Sequence, residues 1–389
     1  MEELNEQPVT QTVAPGPAIP DRKALGPWAV AWRNLRKHRL AILAGKVLIV
    51  MYTVMLFDGF FAPYHYDSQV RVHSYHPPLN LRFFDAQGNF HLRPFVYGSS
   101  FTFNANQERI WQEDISQAYP VRFFAQGDKT TILLGLVDTQ RHLFTVELPG
   151  RVYLLGADYQ GRDIFSRILF GGRVSLTIGL VGTSISLVLG MLIGGLSGYL
   201  GGWWDNGIQR MCELIMLIPG LYTLMILYNA LPAGLTSVQV YFGVVAILAF
   251  IGWAGLARII RGMVLSIKTS DFVMAARAAG LPTWRIIVRH VLPGTFSYAI
   301  VAASLSIPAY ILGESALSMI GMGIQDPVPS WGNMLDKARG INELSLHPWL
   351  LWPGVAVFLA VMAFNFLGDG IRDAVDPRSV GIVKKKKSE

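Results

Sequence analysis

The sequence predicts an all-α polytopic membrane protein with six transmembrane helices and a small β-rich outside insert after the first helix. Three observations predict it. The residues are 52% hydrophobic and only 15% charged, six apolar runs approach the length of a bilayer crossing, and one long segment between the first two runs is polar, aromatic and rich in turn residues. An average soluble domain carries about 25% charged residues, so this apolar excess requires an apolar solvent. A bilayer supplies one.

The balance of 33 Lys and Arg against 26 Asp and Glu gives a formal charge of +7. Such a charge can mark a nucleic-acid binder, but here the basic residues lie between long apolar runs, which argues for a membrane and against nucleic acid. The single cysteine, Cys212, excludes an intrachain disulfide and a thiolate metal cluster. Residues 1–31 hold Pro15, Pro17, Pro20 and Pro27 without the apolar core of a secretory signal, and read as a disordered cytoplasmic tail.

A crossing needs about 20 mostly apolar residues, because roughly 30 Å of hydrocarbon is spanned at about 1.5 Å per residue. The six runs that qualify are Leu40–Phe61, Val174–Leu200, Leu214–Leu231, Val238–Leu256, Val291–Gly313 and Pro348–Leu367, the first helix taking 32–61 in all. Lys46 and Asp58 fall in the first, near enough to its ends to snorkel. Orientation follows from the basic residues: with both termini inside, the inner segments hold 19 of the 33, and the short outer loops hold only Lys337 and Arg339.

Residues 62–155 break the membrane pattern. LRFFDAQGNFHLRPFVYG (81–98) reads as two strands around an Asp/Gly/Asn turn, and 121–147 repeats the RFF…QG theme. A β-rich outside domain is expected there, since a floppy loop would leave many Phe and Tyr side chains in water. After it, 156–380 forms a five-helix core, and 381–389 a basic cytoplasmic tail whose Lys384–Lys387 suit anionic lipid.

Within the core, 257–293 reads as helix, tight turn, helix. Asp271 is the expected N-cap; Ala275, Ala276, Ala278 and Ala279 leave a small-sided surface; Gly280 can adopt the left-handed geometry that ends a helix; and Pro282 suits the start of the next. An ordinary connector between two spans has the same pattern. In the second span Gly182, Ser186, Gly190, Gly194 and Gly198 recur every fourth residue as a ridge for close helix packing, within this chain or on a partner. Pro219-Gly220 and Pro308 are expected to kink their spans. Glu314, just past the fifth span on the outer side, is a candidate for the substrate path through attraction of an amino terminus; capping and solvating the segment is the alternative. Asp369, Arg372, Asp373 and Asp376 are expected to form a surface network pinning the last helix.

AARAAGLPTWRIIVRHVLP (275–293) resembles the EAA signature of ATP-binding-cassette import permeases. LGADYQGRDIFSRILFGGRVSLTIG (155–179), SALSMIGMGIQDPVPSWGNML (315–335) and FNFLGDGIRDAVDPR (364–378) are similar to segments of the dipeptide/oligopeptide/nickel permeases, C-type member of the pair. This resemblance implies a type I importer permease fold in the bacterial inner membrane. It makes 266–290 a coupling element, with Ala275, Ala276, Arg277, Gly280, Leu281 and Pro282 docking on an ATPase. The implied partners are a second homologous permease, two ATPase subunits that bind the ATP and Mg, an extracytoplasmic substrate-binding protein, and membrane lipid. Met274 stands where the family usually has Glu, so the salt bridge of that Glu is not carried over, and neither is a role for the long insert.

Absences weigh on the rivals. Spans two to six are expected to hold no charge at the bilayer centre, against an ion-coupled secondary transporter. No phosphate-binding GxxxxGK[ST], HExxH or GxSxG motif occurs, so the chain is expected to be non-catalytic, with no metal site or cofactor of its own. A membrane-anchored receptor or assembly factor remains the other rival.

Overall fold

The computed structural model describes residues 26–105 and 109–375. The expectations for 1–25, for Asp376 and for the basic tail at 381–389 lie outside the described residues. Helix α1 (Pro27–Leu35) starts inside the segment expected to be disordered, with Pro27 in a first-turn position where its fixed φ suits a helix. Helix α2 (Arg39–Leu56) is the first span; it stops at Phe57, before the short α3 (Asp58–Phe61).

The strands that follow among the described residues are β1 (Arg82–Phe84), β2 (Phe90–Phe103), β3 (Arg109–Phe123), β4 (Gln126–Ile132), β5 (Val137–Arg141) and β6 (Phe144–Val146). They form an antiparallel sheet in the order β1-β2-β3-β6 and a separate β4-β5 hairpin. The expected turn is present: Asp85 accepts from the Gln87 and Asn89 N–H groups at 3.0 and 2.8 Å, and Gly88 takes φ +85°. Tyr64, Val96, Val121, Val146 and Val152 form the small core. The burial argument that led to this domain needs correction, since Phe84, Phe90, Phe123 and Phe124 are all exposed. A sheet in one layer covers only one of its faces.

The insert also carries a pH prediction. His76 is 1% exposed, its Nδ1 lying 2.6 Å from the Pro77 carbonyl oxygen, to which it donates, and its Nε2 2.8 Å from Ser99 Oγ, from which it accepts. Burial, and to a lesser degree His73, pushes its pKa down to about 4 from the usual 6.5. The unfolded chain therefore binds more protons between these values, so stability is complete above the unfolded pKa and is lost as pH falls toward the folded one. From about pH 7 to about pH 5 the insert should lose about 2 kcal/mol, read as faster amide exchange across β2, and His76→Gln should flatten that slope.

The core continues with α4 (Ile164–Leu200), α5 (Gly202–Leu217), α6 (Gly220–Asn229), α7 (Ser237–Ile267), α8 (Asp271–Ala278) and α9 (Thr283–Ile286). A π-helical turn and a 3-10 turn lead into α10 (Phe296–Met319), followed by α11 (Trp331–Asp336), α12 (Ile341–Leu346) and α13 (Trp352–Val375). Among the described residues, five helical stretches are long and apolar enough to cross a membrane. The α5–α6 pair, bent by 92°, makes a sixth if the two halves count as one span. The expected kink at Pro219 is thus a full break: the residue before a proline avoids helical geometry, and Ile218 is extended at ψ 128°.

Close approaches fix the directions. Going along α4, Gly190, Gly194 and Gly198 face Leu256, Ala257 and Arg261 of α7 in turn, so these helices run parallel. A return crossing must lie between them, and α5–α6 provides it. Gly179 against Ile311 of α10, together with Gly195 against Leu292 just before it, makes α10 antiparallel to α4, and Gly370 of α13 meets Ala41 at the start of α2. The α8–α9 hairpin and both described chain ends therefore share one side, and the insert occupies the other.

Asp58 corrects another expectation. It is fully buried, its Oδ1 accepts from Gly59 N–H, and its carboxylate is paired with the Arg173 guanidinium. Neutralising a buried carboxylate in place is the alternative to reaching solvent.

Candidate docking and translocation surfaces

The α8–α9 hairpin is built by local backbone chemistry. Ser270, and not Asp271, occupies the cap position; Asp271 is the first helical residue, where its charge still favours the helix N-terminus. At the other end Gly280 has φ +72°, its N–H donates to Arg277 C=O at 3.0 Å, and Leu281 N–H donates to Ala276 C=O at 3.3 Å. That pair of bonds is a Schellman motif, which consumes carbonyls the helix end would leave open.

Packing gives the hairpin two faces. Val273 and Ala276 are buried against Ile260, Val264, Ile286, Ile287 and Val291, and Leu281 packs at the edge of the same cluster. Arg277 bends its guanidinium over the Tyr199 ring, 5.4 Å from its centre. Ala275, Ala278, Ala279, Gly280 and Pro282 remain exposed, flanked by Phe272, Met274 and Trp284. Of the six expected docking residues, then, Ala275, Gly280 and Pro282 lie on the outer face, Arg277 is exposed but engaged with Tyr199, and Ala276 and Leu281 hold the hairpin to the helices. Behind it Asp205 accepts from Ser197 Oγ at 2.6 Å and from Arg261 Nε at 3.0 Å, while Lys268 Nζ donates to Gly198 C=O at 2.9 Å. The ends of α4, α5 and α7 are tied together beneath the hairpin.

The glycine ridge is absorbed inside the chain. A methyl group on Gly182 would meet Tyr310 at 2.6 Å, one on Gly190 would meet Leu256 at 2.9 Å, one on Gly194 the Ala257 backbone at 2.9 Å, and one on Gly198 the Arg261 carbonyl at 2.8 Å. Ser186 Oγ donates to Ala249 C=O at 3.0 Å and also meets Tyr310 Oη. Beside this contact a groove of about 380 Å³ opens between α4, α7 and α10, lined by Thr183, Ser186, Gly252, Gly255, Tyr298, Ala302, Ser306 and Tyr310 among others. Thr183 Oγ1 is buried there without a partner among the described residues. The sequence reading missed this groove, although Tyr298, Ala302, Ser306 and Tyr310 repeat every fourth residue, as the glycines do.

Glu314 lies elsewhere than expected. It sits inside α10, 1% exposed, and accepts from Ser175 Oγ at 3.2 Å and Ser318 Oγ at 2.8 Å; Ser175 Oγ in turn accepts from Trp331 N–H at 3.1 Å. It is not solvated, because α10 runs on to Met319 beyond the end that hydropathy suggested. Glu314 lies within five residues of the end of α10, so it leaves the expectation of no charge at the bilayer centre of spans two to six untouched. It joins α4, α10 and α11.

The helix ends opposite the α8–α9 hairpin share a buried ion network that sequence reasoning also missed. Arg162 Nε donates to Asp158 at 2.7 Å and its Nη1 to Asp326 at 3.1 Å, while Arg167 Nη2 donates to Asp326 at 2.8 Å. Burial works against the charge of Asp326, but Arg167 and Arg162 outweigh it and hold its pKa down to about 2. These residues belong to two of the segments that carried the resemblance, 155–179 and 315–335. Pairing partners some 160 residues apart leave no local signal. The C-terminal network is thin: His38 Nδ1 lies 3.9 Å from Asp373 Oδ2.

Comparison with known proteins adds independent findings. The profile of the binding-protein-dependent transport system inner membrane component family matches residues 186–380. That of the N-terminal TM domain of oligopeptide transport permease C matches residues 26–78. The chain is 39% identical over 232 residues to the glutathione transport system permease protein GsiD of Pectobacterium atrosepticum, covering 60% of this chain and 75% of that one. It is 38% identical over 227 residues to the oligopeptide transport system permease protein OppC of Haemophilus influenzae, covering 58% and 70%. Inward-facing conformations of the MetNI methionine ABC transporter align with a TM-score of 0.42 at 20% identity, covering 54% of this chain and 96% of that chain.

Proposed function

From the premise that the chain belongs to the family of binding-protein-dependent transport system inner membrane components, we propose that it is the permease subunit of an ATP-driven importer of di- or oligopeptides or similar solutes. The relatives named for glutathione and oligopeptide transport support the peptide-like substrate class. The observation that carries the reading is the exposed, apolar α8–α9 hairpin, opposite the insert and braced from behind by the Asp205–Arg261 pair. A rigid small-sided projection of this kind suits a groove on a moving ATPase. The chain itself is non-catalytic: ATP and Mg belong to two ATPase subunits. Both termini and the hairpin are cytoplasmic, and the insert faces outward toward a substrate-binding protein.

The groove beside Gly255 is this chain's half of the translocation path, the other half coming from a second, homologous permease. Its lining of hydroxyls and small side chains can offer hydrogen bonds to passing amides without a fixed charge that would trap them. Reconstituted with its companions, the chain should import peptide only with ATP and the binding protein. A methyl group on Gly255 meets open space; Gly255→Trp should cut uptake severalfold, measured on complexes that still co-purify with the companion permease. Proton-driven uptake by the chain alone would overturn the reading in favour of an ion-coupled transporter.

A further inference from the structure

Between β4 and β5 the insert carries a tip that contradicts its surroundings. From Thr130 to Val137 the chain reads TTILLGLV, with no charge. Its shoulders are charged, Lys129 Nζ pairing with Asp138 Oδ2 at 3.0 Å in the open. The tip is apolar and bare: Leu134 is 50% exposed, Leu136 84% and Val137 45%. Leu133 and Leu134 also take φ of +53° and +59°. Turns of that geometry favour Gly or Asn, so leucine at both positions indicates that the side chains themselves are used.

Position decides what solvates the tip. Leu143 N–H donates to Phe60 C=O at 2.6 Å, Thr130 Oγ1 to Gly59 C=O at 3.1 Å, and Leu133 N–H to Leu56 C=O at 2.6 Å. The hairpin thus retraces the chain from α3 back to the last residue of the first span, heading toward the membrane. Asp58, paired with Arg173 and bridged to Thr131 by Arg173 Nη1 at 3.1 Å, marks the polar level. Residues 133–137 lie on the membrane side of it. The first span itself exposes Leu43, Ile49 and Val50, and Phe57 is exposed at the end that the tip reaches.

We propose that the 132–137 tip is a lipid anchor, inserted among the acyl chains of the leaflet at the Leu56 end of the first span, with Lys129 and Asp138 at headgroup depth. Amphipathic elements seat in this way, apolar side among the chains and charged side in the headgroups. The insert would then be pinned to the bilayer at two points, the first span and this hairpin, which fixes its tilt over the permease. The contact requires only that α2 crosses the membrane; which leaflet it enters follows from the proposed orientation and is tested separately by one-sided labelling of the 271–284 hairpin.

The test uses the full-length chain assembled with its companions in nanodiscs, with buried Cys212 replaced by Ser. Bimane is attached at Leu136→Cys and, as a control, at Lys129→Cys. Lipids carrying a doxyl group high on the acyl chain should quench the label at 136 severalfold more than at 129, and aqueous iodide should show the reverse order. Leu134→Cys gives a second reading at another open position. Iodide quenching at 136 and 134 equal to that at 129 would overturn the proposal, and so would protection from both quenchers, which would mean that a companion protein covers the tip.

Discussion

Gly194→Ala is expected to destabilise the helix bundle although it adds a single methyl group and improves helix propensity. The new Cβ would meet the Ala257 backbone, with Cα at 2.9 Å, where neither α4 nor α7 can yield by rotating a side chain. Overpacking of this kind costs about 1–3 kcal/mol and more where backbone faces backbone, against a propensity gain of about 1 kcal/mol. Gly262→Ala is the matched control: it lies in α7 with open space around its Cβ, so it should collect only the gain. The yield of monodisperse protein after detergent extraction, and its thermal aggregation midpoint, should fall for Gly194→Ala and hold or rise for Gly262→Ala. Equal behaviour would mean that the ridge is not the seam between α4 and α7.

The second large effect is expected on coupling and not on folding. Gly280→Val places a β-branched residue at φ +72°, which costs at least about 1–2 kcal/mol for an L-residue. Open space surrounds the site, so the cost is relieved by unwinding the Schellman turn, not by disturbing the spans. Leu281 then leaves the cluster that holds the hairpin in place. Substrate-stimulated ATP hydrolysis by the reconstituted complex should fall about tenfold or more, the equivalent of about 1.4 kcal/mol or more in the population of the docking-competent hairpin. Membrane insertion and companion-permease binding should persist. Gly280→Asn, which tolerates the left-handed region, should retain most of the coupling. Unchanged coupling in Gly280→Val would remove the hairpin from the mechanism.

These two glycines also measure how far the sequence could be read. Gly280 was legible because its demand is local: a helix, a glycine and a proline in succession encode the turn whatever surrounds them. Gly194 was half legible. Its four-residue spacing announced close packing, but only the approach of Ala257 identified α7 of the same chain as the partner. Glu314 was misread because hydropathy ended the fifth span too early, whereas three serine hydroxyls and the packing of α11 carry α10 past it. Asp58 was misread for a related reason, since its neutralising Arg173 lies 115 residues away.

By itself the sequence determined where the apolar runs lie, the position of the insert and the shape of the α8–α9 hairpin, because apolar length and turn chemistry are written in neighbouring residues. Tertiary structure alone decided that α4 and α7 run parallel around a closed glycine seam, that a hydroxyl-lined groove opens beside it, that Asp158, Arg162, Arg167 and Asp326 share one buried network, and that the β4–β5 tip returns to the end of the first span. Each of these depends on which distant residues meet, and burial and hydrogen-bond pairing are settled only when the whole chain has closed on itself.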